Sequence, residues 1–130
     1  MPFTPISIVI NTYNAGAQIV PTLESVKDFD EVVVCDMEST DNTVEIARSY
    51  GCKIVTFPKG SHRICEPARD TAIHAARNNW VLVVDADEVV TPALKETLQA
   101  TLQTANHKDA YFVPRKNMFL GEFVKASFPD

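Results

Sequence analysis

Four short apolar runs rich in β-branched residues, each followed by a stretch with helical spacing, restrict this chain to an alternating α/β architecture. The runs are 6–10 (ISIVI), 31–35 (EVVVC), 53–57 (KIVTF) and 80–84 (WVLVV). Their apolar residues occupy consecutive rather than alternate positions, the mark of strands covered on both faces. Between them, 17–26 carries Ile19, Val20, Leu23 and Val26 at helical spacing. Asn42 with Glu45 three residues on resembles a capping box for a helix that turns Val44, Ile46 and Ala47 inward and stops near Gly51. Residues 66–78 read as a helix with a small-residue face of Ala68, Ala72, Ile73, Ala75 and Ala76, and Asn78 and Asn79 suit a left-handed stop. Thr91 followed by Pro92 opens a further helix, to about residue 105. Residues 110–114 are a fifth strand candidate. Strands separated by helices imply parallel pairing through right-handed crossovers.

Length and composition agree with one domain over residues 1–130. The chain is 45% apolar and 22% charged, enough to build a core and too ordered in pattern for bulk disorder. Acidic residues outnumber basic ones, 17 to 12, which argues against nucleic-acid binding through bulk positive charge. Three cysteines, with no CxxC pair, make neither a disulfide scaffold nor a zinc site, and Cys35 falls in a buried strand. Residues 1–13 lack the features of a signal peptide, and no apolar run approaches a bilayer span. The expectation is a cytoplasmic protein, with the inner membrane face reachable through a partner or a further segment.

In open parallel sheets, ligands bind beyond the carboxyl ends of the strands. Three such ends carry polar or acidic groups here: Asn11-Thr12-Tyr13-Asn14, then Asp36-Met37-Glu38-Ser39-Thr40-Asp41, then Asp85-Ala86-Asp87-Glu88. The Asp85/Asp87 pair is the sharpest. Two close carboxylates repel each other, and a hard divalent cation such as Mg²⁺ or Mn²⁺, shared with ligand phosphates, relieves that repulsion. The bland alternative is an acidic turn ahead of the helix at Thr91. Asp36 suits hydrogen bonding to a base or ribose, against a helix-capping role that Ser39, Thr40 and Asp41 fill better. Tyr13 either lays its ring on a nucleobase or packs on the first helix. Arg69 either neutralises a phosphate or pairs with Glu66 or Asp70. Lys59, His62 and Arg63 read as a solvated loop, and His74 and His107 as packed or surface residues. Arg115, Lys116 and Lys125 make the tail locally basic, which suits an anionic acceptor or a solvated face equally.

Taken in order, 6–14 (ISIVINTYN), 32–43 (VVVCDMESTDNT), 67–73 (PARDTAI) and 81–88 (VLVVDADE) resemble the family-2 glycosyltransferases of GT-A fold. The run 111–121 (YFVPRKNMFLG) resembles the bacterial subgroup that adds sugars to lipopolysaccharide core, including a β-1,4-glucosyltransferase type. The resemblance implies a Rossmann-like GT-A fold and a nucleotide-sugar donor, usually a UDP-sugar. It implies Mg²⁺ or Mn²⁺, a glycan or lipid-linked acceptor and inverting displacement at the anomeric carbon. By matched position, Thr12, Tyr13 and Asn14 line the donor site and Asp36 meets the nucleoside. Asp85 holds ribose or sugar, Asp87 binds the metal, and Arg69 lies near the diphosphate. The acids at 36, 85 and 87 are thereby expected to converge on one cation-bound pyrophosphate. Met37 stands where many relatives carry a second, base-reading acid, and Glu38 replaces a common small residue. Relatives run well past 200 residues with the base downstream, so the resemblance makes this the N-terminal, donor-binding part of a longer transferase and assigns no base here.

Two rivals stay open at this level. VLVVDADEV (81–89) also fits the nucleophile motif of HAD-type phosphatases, with Asp85 as nucleophile, although that motif normally opens its chain. A receiver-like regulatory domain has suitable length, but receivers need acids after strand one, where this chain has Asn11 and Thr12. A nucleotide-sugar-binding piece without transfer activity is the third alternative.

Overall fold

The computed structural model describes residues 4–58, 66–103, 116–119 and 122–125. Its elements are β1 (Ile6–Thr12), α1 (Ile19–Val26), β2 (Glu31–Asp36), α2 (Thr43–Ser49), β3 (Lys53–Thr56), α3 (Glu66–Ala75), β4 (Trp80–Asp85), α4 (Pro92–Leu102), β5 (Lys116–Phe119) and β6 (Glu122–Lys125). The first four strands form one parallel sheet in the order β3-β2-β1-β4. The α/β reading of the sequence is therefore correct. β5 and β6 pair antiparallel as a separate hairpin that strand propensity alone did not single out. The strand expected over 110–114 lies outside the described residues, as do residues 59–65 of the loop expected over 58–65.

Alternation along the strands divides the core in two. Ile6, Ile8 and Ile10 of β1, with Val34 and Val84, face α1, α2 and α4 through Ile19, Leu23, Val26, Ala47 and Leu102. Val9, Val33 and Cys35 face the other way, against Ala72 of α3. Complete burial of Ile8 and Ile10 stabilises the fold by roughly 1.5–3 kcal/mol per side chain. The small-residue face of α3 lets that helix lie close on the sheet, as Ala72, Ala75 and Ala76 all pack there.

Several boundaries differ from the sequence reading, each for a local reason. β1 runs on to Thr12, because β2 and β4 pair with it as far as Thr12 and Asn11. α1 starts at Ile19, after a turn in which Ala15 O accepts from Gln18 N and Ile19 N. The Asn42/Glu45 capping box does not form: Asn42 makes no side-chain cap bond, and Asp41 Oδ1 accepts from Thr43 N at 3.0 Å and from the Thr43 hydroxyl. α2 stops as expected, with Gly51 at φ 78°. Gly51 N donates to Arg48 O and Cys52 N to Ala47 O, the paired bonds of a Schellman ending. α3 ends at Ala75 without a left-handed asparagine; instead, the Asn78 carboxamide donates to the Ser7 hydroxyl at 3.0 Å. Thr91 caps α4 by accepting from Leu94 N at 3.1 Å, with Pro92 in the first turn. Among the described residues, no helix is long and apolar enough to cross a membrane.

Gly16 is fixed by crowding. A Cβ there would lie 2.1 Å from Asn42 Oδ1 and 2.9 Å from Asp41 Oδ2. Gly16→Ala is expected to lower stability by about 1–3 kcal/mol in urea denaturation. Gly51→Ala, which meets nothing within 4 Å but sits at positive φ, should cost about 1 kcal/mol. A smaller cost for Gly16→Ala than for Gly51→Ala would contradict a close contact at Gly16.

Candidate functional site at the carboxyl edge of the sheet

The carboxyl edge is assembled by side-chain oxygens that tie three loops together. The loop after β1 is clasped to the loop after β2 through Asn14. That residue sits at φ 49°, donates its N–H to the Ser39 hydroxyl at 2.8 Å, and accepts on Oδ1 from Thr40 N at 2.7 Å. Asp41 accepts from Gly16 N at 3.0 Å, and the Thr43 hydroxyl accepts from Ala15 N at 2.9 Å. The Thr43 and Gly16 donors hold the Asp41 carboxyl below its ordinary range, the Thr43 hydroxyl contributing most. Glu38 occupies the second left-handed non-glycine position among the described residues, φ 63°, and is exposed, next to the buried Met37.

Asp36 is the buried centre of that clasp. Its Oδ1 accepts from the Thr12 hydroxyl at 2.7 Å and the Ser39 hydroxyl at 2.6 Å; its Oδ2 accepts from Ser39 N at 2.8 Å. A carboxylate with three donors is well compensated for its burial. Asp36 thus shapes the loop from within, alongside Thr12, which is equally buried.

The acidic turn after β4 is fixed by a different set. Glu88 N donates to Asp85 O at 3.0 Å, and Asp85 N donates to Glu88 Oε1 at 2.8 Å. The buried Thr22 hydroxyl of α1 donates to Ala86 O at 2.8 Å. Ser25 then accepts from Val90 N at 3.0 Å, so α1 holds both ends of the connection. Asp87 is left at the exposed crest of the turn and Asp85 part-buried beneath it.

The structure brings these groups to one edge but does not gather them as expected. Thr12 and Asp36 follow Ile10 and Val34 onto the α1/α2 face, whereas Asn11 and Asp85 follow Val9 and Val83 onto the α3 face. Asp36 therefore does not join Asp85 and Asp87 in a three-acid cluster. Among the described residues, no group of three metal-ligating side chains forms. Tyr13 is 45% exposed at the rim. Arg69 lies on α3, and its side chain is outside the described residues, as are those of Glu66 and Asp70. Thr22, Ser25 and Ser39 were not legible as site-building residues; only their hydroxyl chemistry on otherwise apolar or loop segments signalled them.

Asn11 is a further residue that the sequence reading left unassigned. It stands in register with Asp85 on one side and Cys35 on the other. Its Oδ1 is buried without a hydrogen-bond partner, the one such side-chain atom among the described residues. An orphaned acceptor of this kind costs about 1–3 kcal/mol.

The opposite, amino-terminal edge carries a shallow groove lined by Asp30, Glu31, Tyr50, Cys52, Lys53 and Arg77. Its charges are consumed internally: Glu31 accepts from Ser7 Oγ and Arg77 N, both at 2.8 Å, Arg77 donates to Asp30 O at 2.7 Å, and Lys53 donates to Ala75 O at 2.9 Å. Burial pushes the Glu31 carboxyl upward, but the Arg77 N–H, the Ser7 hydroxyl and the Arg77 and Lys53 charges outweigh it, and the group titrates below its ordinary range. Burial raises the Cys52 thiol to about 11, so it is inert at neutral pH.

Comparison with known proteins agrees with the geometry. The model of Glycosyl transferase family 2 matches residues 7–125. The chain belongs to that family. An uncharacterized glycosyltransferase of Rickettsia bellii is 37% identical over 107 residues, covering 82% of this chain and 35% of that protein. The poly(ribitol-phosphate) β-N-acetylglucosaminyltransferase TarS of Staphylococcus aureus is 32% identical over 124 residues, covering 86% of this chain and 21% of TarS. This family-2 chain thus spans about a third or less of the relatives it matches. The crystal structure of TarS 1–349 with UDP-GlcNAc superposes with a TM-score of 0.64 at 28% identity, over 76% of this chain and 31% of that one. Glucosyl-3-phosphoglycerate synthase of Mycobacterium tuberculosis, solved with Mn²⁺, UDP and glucosyl-3-phosphoglycerate, superposes at 0.55 with 25% identity, over 64% and 33%. The sheet and its flanking helices are accordingly the GT-A arrangement, and the phosphatase and receiver alternatives fall away.

Two measurements check the internal scaffold. Thr12→Val removes one donor from a buried carboxylate and is expected to cost about 1.5–3 kcal/mol in urea denaturation. Glu31 and Asp41 are depressed in the folded chain, so their stabilisation is complete above the unfolded carboxyl values and lost as pH falls through the folded ones. The melting temperature should be flat above about pH 5 and fall below about pH 4, less steeply in Glu31→Gln.

Proposed function

We propose that this chain is the donor-binding part of a metal-dependent, inverting glycosyltransferase that takes a UDP-sugar. The observation that carries the proposal is the braced turn Asp85–Glu88, which presents Asp87 to solvent at the carboxyl edge of a GT-A sheet. The sugar nucleotides bound by TarS and the Mn²⁺ and UDP bound by glucosyl-3-phosphoglycerate synthase support the same reading.

The donor set fits a hard cation. Asp85 and Asp87 offer carboxylate oxygens only, two strand-end residues apart, and Mg²⁺ or Mn²⁺ needs one or two carboxylates when ligand phosphates complete its shell. Asp87 would bind the ion, and Asp85 would hold ribose or sugar. The ion, when bound, supplies charge stabilisation for the diphosphate leaving group. Tyr13 would lie against the base. Asp36, Thr12 and Asn14 would hold the nucleoside-facing loop rigid, an indirect role for groups whose own bonds are satisfied internally. Arg69 would face the diphosphate from α3. In the transfer itself, an acceptor hydroxyl oxygen forms a bond to the anomeric carbon as the bond to the UDP oxygen breaks. The hydroxyl proton passes to a base that is not assigned within this chain. The acceptor is proposed to be a glycan or lipid-linked sugar, of lipopolysaccharide-core type by the resemblance of 111–121, acting at the inner membrane face.

Calorimetry with UDP tests this, with and without Mn²⁺, on the native chain and Asp87→Ala. Mn²⁺ should tighten UDP binding by about tenfold or more, roughly 1.4 kcal/mol, and Asp87→Ala should abolish that gain. Equal affinities in all four titrations would refute the proposal.

A further inference from the structure

We infer that Thr22 of α1 is a positioning residue for the ion-binding turn: its hydroxyl fixes the peptide between Ala86 and Asp87, and so the direction in which Asp87 meets a divalent cation. The inference rests on the ion-binding reading of Asp87 given above. Thr22 is 1% exposed, on the face of α1 that also buries Ile19, Leu23 and Val26. A valine there would have the same shape and no polar atom to bury. A threonine within a helix often returns its hydroxyl to a carbonyl of its own preceding turn. The single hydroxyl proton of Thr22 instead goes to Ala86 O, 2.8 Å away and 64 positions on. Ser25, one turn along, does return its proton to the helix, to Thr22 O at 2.7 Å.

The carbonyl that Thr22 holds decides the shape of the turn. Glu88 N donates to Asp85 O at 3.0 Å, which makes Asp85–Glu88 a β-turn with Ala86 and Asp87 at its centre. Two forms of such a turn, types I and II, differ by a flip of the central peptide, here Ala86–Asp87. The flipped form needs a positive φ at the third residue; Asp87 is not at positive φ, which excludes it. Ala86 is buried, so without the Thr22 donor its carbonyl would lose its partner, a costly state that a tilt of the peptide relieves. Such a tilt carries the Asp87 side chain with it, at the exposed crest. The other braces leave that peptide untouched: Glu88 Oε1 takes Asp85 N before it, and Ser25 Oγ takes Val90 N beyond the turn. A cation such as Mg²⁺ demands a near-octahedral shell, so a carboxylate swung out of line loses affinity for it.

Calorimetry of UDP with and without Mn²⁺ tests this on the native chain, Thr22→Val, Thr22→Ser and Gly51→Ala, with urea denaturation of each. The quantity read is the gain, the ratio of UDP affinities with and without Mn²⁺. In Thr22→Val, which keeps the bulk and removes the donor, the gain should fall about threefold or more below the native value. Thr22→Ser, which keeps the donor, should retain the native gain. Gly51→Ala strains the end of α2, at the opposite edge of the sheet, and should lower stability with the gain intact. Should Thr22→Val not fold, Thr22→Ala is read in its place, because the space it opens admits a mobile water at the Ala86 carbonyl; its gain should fall likewise. A native gain in the variant read, a loss in Thr22→Ser equal to that variant's, or an equal loss in Gly51→Ala overturns the inference and leaves ion binding standing. Absence of any gain in the native chain overturns the ion-binding reading, and the inference with it.

Discussion

Every loop at the candidate site hangs from β1, which is hydrogen-bonded along its length to β2 on one side and to β4 on the other. That double pairing fixes register, and register fixes which side chains share a face. A one-residue slip would exchange Thr12 for Asn11 on the α1/α2 face and separate Thr12 from Asp36. The three fully buried apolar residues Ile8, Val9 and Ile10 make such a slip prohibitive, because it would turn both core layers inside out. The core therefore determines the geometry of the edge before any polar contact forms.

The polar contacts then divide the edge into two kinds of group. Asp36, Asn14, Asp41 and Thr43 spend their hydrogen bonds on neighbouring loop side chains and on backbone N–H groups. They make the loop after β2 rigid. Asp85, Asp87 and Tyr13 stand towards the rim, and the donor-binding chemistry proposed above would fall to them. Acidic residues that look alike in the sequence thus do opposite things: Asp36 holds, Asp87 presents.

Much of the sheet could be read from sequence, because strands buried on both faces leave consecutive β-branched runs at 6–10, 31–35 and 80–84. Thr91-Pro92 and Gly51 worked as boundaries for equally local reasons, a side-chain cap and a positive φ. Asn42 failed as a cap because Asp41, one residue earlier, already engages Thr43 while reaching Gly16, a contact set by tertiary approach of the two loops. The separation of Asp36 from Asp85 followed from a parity that was available in the sequence but depends on inter-strand register. The bracing by Thr22 and Ser25 depends on where α1 crosses the acidic turn, which no local pattern encodes.

The unequal spans of the two clasps bear on how the edge comes together in time. Thr12 and Asp36 lie 24 positions apart, Thr22 and Ala86 64 apart. Closing the longer loop costs about 1 kcal/mol more chain entropy, and its far end also leaves the ribosome later. The Thr12–Asp36 clasp is therefore the less costly of the two to close, and the clasp of α1 on the acidic turn the more costly.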